Sequence, residues 1–199
     1  MSTTIIFATG NQGKMGEIRQ IMGDMDVELL SMKEAGIESD VEETGTTFEE
    51  NAILKARTVA VKTSHIVLAD DSGLEIDHLN KEPGIYSARY MGEDTPYEVK
   101  NRNLLERLAG VEDDKRTARF VCAIAACFPD GKIITTEGVI EGRIAWEPAG
   151  GGGFGYDPIF CPKGWEKTFA EAGSDEKNAI SHRGRATRKL VEYLKNQNS

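Results

Sequence analysis

The chain has 199 residues, 33 of them acidic and 24 basic, for a formal net charge of −9. At 39% hydrophobic and 29% charged it has the composition of one folded domain, or of two lobes sharing a core, and not of a disordered tail. Duplex nucleic acid and anionic membrane surfaces are excluded as non-specific partners, because gripping either needs surplus Lys and Arg.

The acidity is local. Asp24 to Glu50 holds ten carboxylates against one base, Lys33, while the rest of the chain balances at 23 acids and 23 bases. No stretch approaches the roughly 20 apolar residues of a membrane span. Met1 to Ala8 has neither the basic region nor the cleavage site of a signal peptide. Cys122, Cys127 and Cys161 are odd in number and lack zinc-ligand spacing, and His65, His78 and His182 are scattered. A reducing, cytoplasmic setting is expected.

In chain order, Thr4 to Ala8 reads as a buried strand, followed by the polar turn Thr9 to Lys14 and a helix from about Lys14 to Met22. Val27 to Ser31 is a second strand. Thr47-Phe48-Glu49-Glu50 has the form of a capping box and opens the clearest helix, running to about Thr63. On that helix Asn51 and Lys55 share a face. Ile66 to Ala69 reads as a short strand ending in Asp70-Asp71-Ser72-Gly73. Thr95 caps a helix with Pro96 at its first position, ending near Leu108. Phe120 to Phe128 and Ile133 to Val139 flank Pro129-Asp130-Gly131 as an antiparallel hairpin. A strand at Ile159 to Cys161 and a helix from about Arg185 to Asn196 close the chain. The class is α/β with a mixed, partly antiparallel sheet and flanking helices.

Four constellations can carry chemistry. Thr9 to Lys14 follows a strand and opens a helix, the geometry that aims backbone N–H groups at an anion, with Lys14 adding charge; an ordinary polar turn is the alternative. Asp70 and Asp71 are adjacent carboxylates, which suppress each other's ionisation unless a cation holds them. Mg²⁺ answers that need with a few carboxylate oxygens, and Glu42 or Glu43 offers another ligand; a solvated turn is the alternative. Gly150 to Gly155 contains five glycines, which forfeit backbone entropy, so tight turns or close ligand approach are expected beside Phe154 and Tyr156. Lys177 and Ser181-His182-Arg183-Gly184 lie in a segment, Lys163 to Lys195, with eight bases and five acids. Together they describe a nucleotide site.

The sequence resembles the house-cleaning inosine/xanthosine triphosphate pyrophosphatases. The matching blocks are ATGNQGK (Ala8 to Lys14), EETGTTFEENAILKA (Glu42 to Ala56), ADDSGLEID (Ala69 to Asp77), PGIYSARY (Pro83 to Tyr90), GGFGYDPIF (Gly152 to Phe160) and EKNAISHRG (Glu176 to Gly184). They occur in the family's order across nearly the whole chain. The resemblance implies hydrolysis of non-standard purine triphosphates (ITP, dITP, XTP) to the monophosphate and pyrophosphate. It implies a single domain over residues 1–199, with two lobes around a long mixed sheet and a nucleotide cleft between them, and a homodimer. It places the phosphate turn on Thr9, Gly10, Asn11, Gln12, Gly13 and Lys14, with Lys55 also facing substrate. Metal ligation by Mg²⁺ falls on Glu42 and Asp71, and Asp71 is also the proton acceptor. Ser72 contacts substrate. Phe154, Gly155, Tyr156 and Asp157 form one wall of the pocket, completed by Lys177, His182 and Arg183. One departure stands out: Ala172-Gly173-Ser174 replaces the family's usual lead into EKNAISHRG, and Gly173 is expected to loosen the approach to Lys177.

These assignments lead to an expectation that Lys14, Lys55, Lys177 and Arg183 make one basic cleft for a small polyanion. Arg183 and backbone N–H groups would form a donor-rich wall that accepts a 6-oxo purine and rejects the 6-amino group of adenine. A triphosphate pyrophosphatase of other base preference and a non-catalytic nucleotide sensor are the competing readings.

Overall fold

The structure, a computed structural model, describes residues 3–197. It contains six strands: β1 (Thr3–Phe7), β2 (Val27–Ser31), β3 (Ile66–Ile76), β4 (Thr117–Cys127), β5 (Ile133–Ile144) and β6 (Phe160–Pro162). Five α-helices accompany them: α1 (Gln12–Ile21), α2 (Phe48–Ala60), α3 (Tyr97–Arg107), α4 (Ser174–Ile180) and α5 (His182–Gln197). The hydrogen-bonded strand order is β2-β1-β3-β4-β5-β6. β1 pairs in parallel with both β2 and β3, whereas β5 and β6 are antiparallel. The sheet is therefore mixed and the class α/β, as the sequence indicates.

The chain divides into two compact units. One comprises Met1–Asp71, Cys122–Gly138 and His182–Ser199, the other Ser72–Val121 and Val139–Ser181. In the first, β1-α1-β2 and β2-α2-β3 are crossover connections between parallel strands. Ile5 and Phe7 of β1, Met15 and Ile18 of α1, Leu68 of β3 and Leu190 and Leu194 of α5 share one apolar core. In the second, Leu74, Leu104, Phe120, Ile144, Tyr156, Phe160 and Phe169 form another.

Local chemistry explains several boundaries. α1 begins before Lys14 because Asn11 is its cap, its Oδ1 accepting from the Lys14 N–H at 3.0 Å. Thr47 caps α2 through the Glu50 N–H at 3.1 Å, while the Glu50 carboxylate reaches one residue further back, to the Thr46 N–H at 2.7 Å. Thr95 does not cap α3. Pro96 holds the cap position, and the Thr95 hydroxyl donates instead to the Met91 carbonyl at 2.7 Å. β4 and β5 are joined by Phe128 to Lys132, closed by the Phe128 N–H on the Lys132 carbonyl at 2.8 Å. That link is too short for a parallel crossover, so the hairpin is antiparallel.

Two differences matter for the site. β3 does not stop at Ala69 but runs through Asp70-Asp71-Ser72-Gly73 to Ile76. α5 begins at His182, and the preceding α4 runs from Ser174 into the last motif block. Gly138 of β5 makes the α5 start possible: a Cβ there would sit 2.1 Å from the His182 carbonyl oxygen and 2.6 Å from the Ala186 nitrogen.

Candidate active site

β1 is flanked on both sides by parallel neighbours reached in opposite directions along the sheet, and such a switch point places a crevice beyond the strands' carboxyl ends. The register sets what meets there. Phe7 lies opposite Leu68, and the Ala8 N–H donates to the Leu68 carbonyl at 2.7 Å. The turn after β1 and the aspartate pair of β3 are thereby brought level. The turn is folded on itself, with the Asn11 N–H donating to Thr9 Oγ at 3.1 Å. The N–H groups of Gln12 and Gly13, in the first turn of α1, have no carbonyl of that helix to bond. Thr9, Gly10 and Gln12 also border a cavity of about 740 Å³ whose lining includes Lys33, Ser39 and Lys62.

Successive strand residues face opposite ways, and this resolves the problem of adjacent carboxylates. Asp70, 1% exposed, accepts from Lys14 Nζ at 3.1 Å and from Arg183 Nη2 at 3.3 Å. Arg183, 2% exposed, also donates to Glu17 of α1. Asp71, 5% exposed, accepts from Asn51 Nδ2 at 3.1 Å and from Lys55 Nζ at 3.3 Å, both on α2. Lys55 Nζ donates as well to Glu43 at 2.7 Å. Helices α1 and α5 thus neutralise one aspartate and α2 the other. The Asn51 Oδ1 is taken by the Gly45 N–H at 2.8 Å, and a Cβ on Gly45 would lie 2.5 Å from it.

The two aspartates titrate in opposite directions. Burial pushes Asp70 upward, but Lys14, Arg183 and Lys55 outweigh it and hold the carboxyl well below the usual range. Burial also pushes Asp71 upward; Lys55 opposes it, but Glu43 and Asp70 reinforce it, and the net shift is up. Lys55 loses some basicity to burial and regains more from Asp71, Asp70 and Glu43, so it stays charged. Cys122, whose thiol lies 3.9 Å from Asp70, is pushed up to about 12, mainly by burial, and is inert at neutral pH.

In the second unit the glycine run makes a recognisable turn. Gly153 and Gly155 both have φ of +66°, and a Cβ on Gly153 would fall 2.1 Å from Asp157 Oδ2. That oxygen accepts from the Phe154 N–H at 3.0 Å and from Lys177 Nζ at 2.6 Å. The Lys177 ammonium also lies 4.7 Å from the Phe154 ring centre. Tyr156 is a core residue, its hydroxyl donating to the Ser87 carbonyl at 2.6 Å and its ring edge-on to Tyr97. Phe154 is half-buried. Gly173, which departs from the family's usual lead, occupies the cap position of α4, where its carbonyl accepts the Lys177 N–H at 3.0 Å, and the Lys177 side chain is bonded to Asp157.

The structure therefore gathers Lys14, Lys55, Asp71 and Arg183 with the Thr9 turn in the first unit, and Phe154 to Asp157 with Lys177 in the second. Glu42 is exposed, and Glu43 is the member of that pair that joins Lys55. His182 is buried at the start of α5, and Ser72 is half-buried in β3 directly after Asp71. Each of the four cations expected to line a basic cleft has a carboxylate partner in the structure. Sequence reasoning passes over Asn51 and Glu17 as site residues, and offers Glu43 only as the alternative to Glu42. Their spacing held the signal, since Asn51 lies one helical turn before Lys55, and Glu17 three residues after Lys14.

Among the described residues no cluster of three or more His, Cys, Asp or Glu side chains is arranged to hold a metal ion. Asp71 and Glu43, on either side of Lys55, nonetheless fit Mg²⁺, which takes one or two carboxylates and completes its shell with water and substrate phosphates.

A paired-carboxylate centre beside a polar turn at the ends of parallel strands defines an α/β protein equipped to handle phosphates. The family follows from comparison with known proteins. The model of the Ham1 family matches residues 5–193, and the chain belongs to that family. Relatives named dITP/XTP pyrophosphatase include those of Bacillus subtilis, 50% identical over 95% of this chain and 96% of the relative, and of Clostridium perfringens, 50% identical over 96% of each. The solved Ham1 protein of Staphylococcus aureus superposes with a TM-score of 0.87 at 42% identity, covering 98% of this chain and all of that one. The HAM1 protein of Coxiella burnetii gives 0.87 at 41%, covering 98% and 99%.

Proposed function

We propose that this protein hydrolyses non-standard purine nucleoside triphosphates (ITP, dITP and XTP) to the monophosphate and pyrophosphate, with Mg²⁺ as its metal. The observation that carries the reading is the buried Asp71, raised in pKa and held by Asn51 and Lys55 at the level of the Thr9 turn. The names of relatives at about half identity support the substrate class.

The charges around the aspartate pair support the metal. Three cations (Lys14, Lys55, Arg183) face four acids (Asp70, Asp71, Glu43, Glu17), which leaves one negative charge before substrate arrives. A triphosphate adds about four more, so it enters favourably only with a divalent cation. Asp71 and Glu43 would hold that ion, which supplies charge neutralisation at the phosphate oxygens. Lys14, Lys55 and the first N–H groups of α1 bind the phosphates, and Asn51 fixes the Asp71 carboxylate. Asp71 then takes a proton from the attacking water as pyrophosphate leaves. Positioning and electrostatics dominate such transfers. With Arg183 engaged by Asp70 and Glu17, the donors that select a 6-oxo base fall to the backbone of the Phe154–Asp157 turn.

A panel of ITP, XTP, GTP, ATP and dUTP, with pyrophosphate release followed with Mg²⁺ and with chelator, tests this reading. ITP and XTP should be turned over at least about tenfold faster than ATP, the scale of a mispaired base edge, and only with the metal. Preference for dUTP would transfer the protein to another base class, and tight ITP binding without turnover would make it a sensor.

A further inference from the structure

α3 carries a polar side chain where its core-facing row calls for an apolar one. Asn101 lies one turn after Tyr97 and three residues before Leu104, on the face that packs into the second unit's core, and is 3% exposed. Its Nδ2 donates to the Gly155 carbonyl at 3.2 Å. A carbonyl only accepts, so this contact fixes which end of the amide is which. The Oδ1 is then buried with no protein partner. Leucine would fill the same volume without the unsatisfied Oδ1 but would leave the Gly155 carbonyl without its donor, so stability alone does not select asparagine. The neighbouring Lys100 acts in the same way, donating to the Ala88 carbonyl at 2.6 Å.

The Gly155 carbonyl belongs to the same planar peptide unit as the Tyr156 N–H, and a trans peptide sets the two on opposite sides. Drawing the carbonyl toward α3 turns that N–H away from α3. Among the described residues the Tyr156 N–H donates to no protein acceptor. Gly155, at φ +66°, is free to swing this peptide in a way that other residues are not, so the orientation needs an external hold.

We infer that Asn101 is a positioning residue for base selection: by holding the Gly155 carbonyl it orients the Tyr156 N–H as a hydrogen-bond donor to the 6-oxo oxygen of a purine nucleotide. This rests on the proposed function and adds to it the residue that fixes the donor. Adenine presents a 6-amino donor at the same place, so the fixed N–H also opposes ATP.

The test compares the parent with Asn101→Leu and Asn101→Asp, measuring kcat and KM for ITP and ATP together with Tm. Asn101→Leu should leave Tm within about 3 °C, because losing the unsatisfied Oδ1 offsets losing the bond to Gly155, raise the KM for ITP about tenfold, leave kcat within about threefold and lower the ITP-to-ATP preference. Asn101→Asp keeps the shape but sets a carboxylate oxygen against the Gly155 carbonyl. It should show the same loss of preference whatever it does to Tm, and it serves if the leucine variant does not fold. An active parent with unchanged KM and preference in the variants overturns the role of Asn101 alone. So does a loss confined to Tm and kcat. A parent inactive on every 6-oxo purine triphosphate overturns the functional reading and this inference with it.

Discussion

Asp71→Asn should lower turnover at least about a hundredfold, the scale of general-base loss, while Tm stays level or rises. The two halves of this expectation come from one feature. Burial, reinforced by Glu43 and Asp70, raises the Asp71 pKa above its ordinary value despite Lys55. A carboxyl whose folded pKa is raised costs stability when ionised, so the cost is present at neutral pH and vanishes as the pH falls below the unfolded value of about 3.9. The amide carries no such cost. It also keeps an oxygen to accept from Asn51 or Lys55, although it weakens the attraction to the lysine. Activity lost while stability is kept marks a group retained for chemistry. Near-normal turnover in the variant removes Asp71 from the role of proton acceptor, and a large drop in Tm makes it structural.

Arg183→Met should show the opposite pattern, with stability falling by about 3–5 kcal/mol, the scale of breaking a buried ion pair from one side. For a chain of this length that is a Tm decrease of roughly 10 °C. The guanidinium bonds Asp70 and Glu17, and its removal leaves Asp70 buried with Lys14 as its remaining hydrogen-bonded cation. Asp70→Asn in the same chain should restore part of the loss by removing the stranded charge. Asp70 also sets an acid limit. Its folded pKa is depressed, so its stabilising contribution is full above about pH 5 and is lost as the pH falls through 4 and below. Chemical denaturation between pH 3 and 7 should show that loss in the parent and a shallower one in the double variant. If Arg183→Met changes ITP hydrolysis with Tm intact, Arg183 belongs to the base-selecting wall instead.

Much of the fold was legible because local chemistry decides it. The strand-turn-helix at Thr4 to Met22 and the capped helix at Thr47 follow from apolar periodicity and cap residues, and both stand within a few residues of their expected places. β3 is longer than its local sequence suggests because Asp70-Asp71-Ser72-Gly73 looks like a turn to any local rule. It continues as strand because Lys14, Arg183, Asn51 and Lys55 reach the two carboxylates from three different helices. α4 carries no sequence signal because a seven-residue helix offers too few turns for a period to show. The site divides in the same way. Motif blocks mark the residues, but their spacing does not say that every cation comes paired, that Glu43 and not Glu42 adjoins Lys55, or that Asn101 meets Gly155. Those are tertiary facts, set by which faces the helices turn inward.

The central claim is the bond that breaks. Phosphorus NMR of ITP incubated with the protein and Mg²⁺ tests it directly. The account predicts inosine monophosphate and pyrophosphate appearing in equal amounts, with no diphosphate intermediate. Release of inorganic phosphate with inosine diphosphate would contradict it.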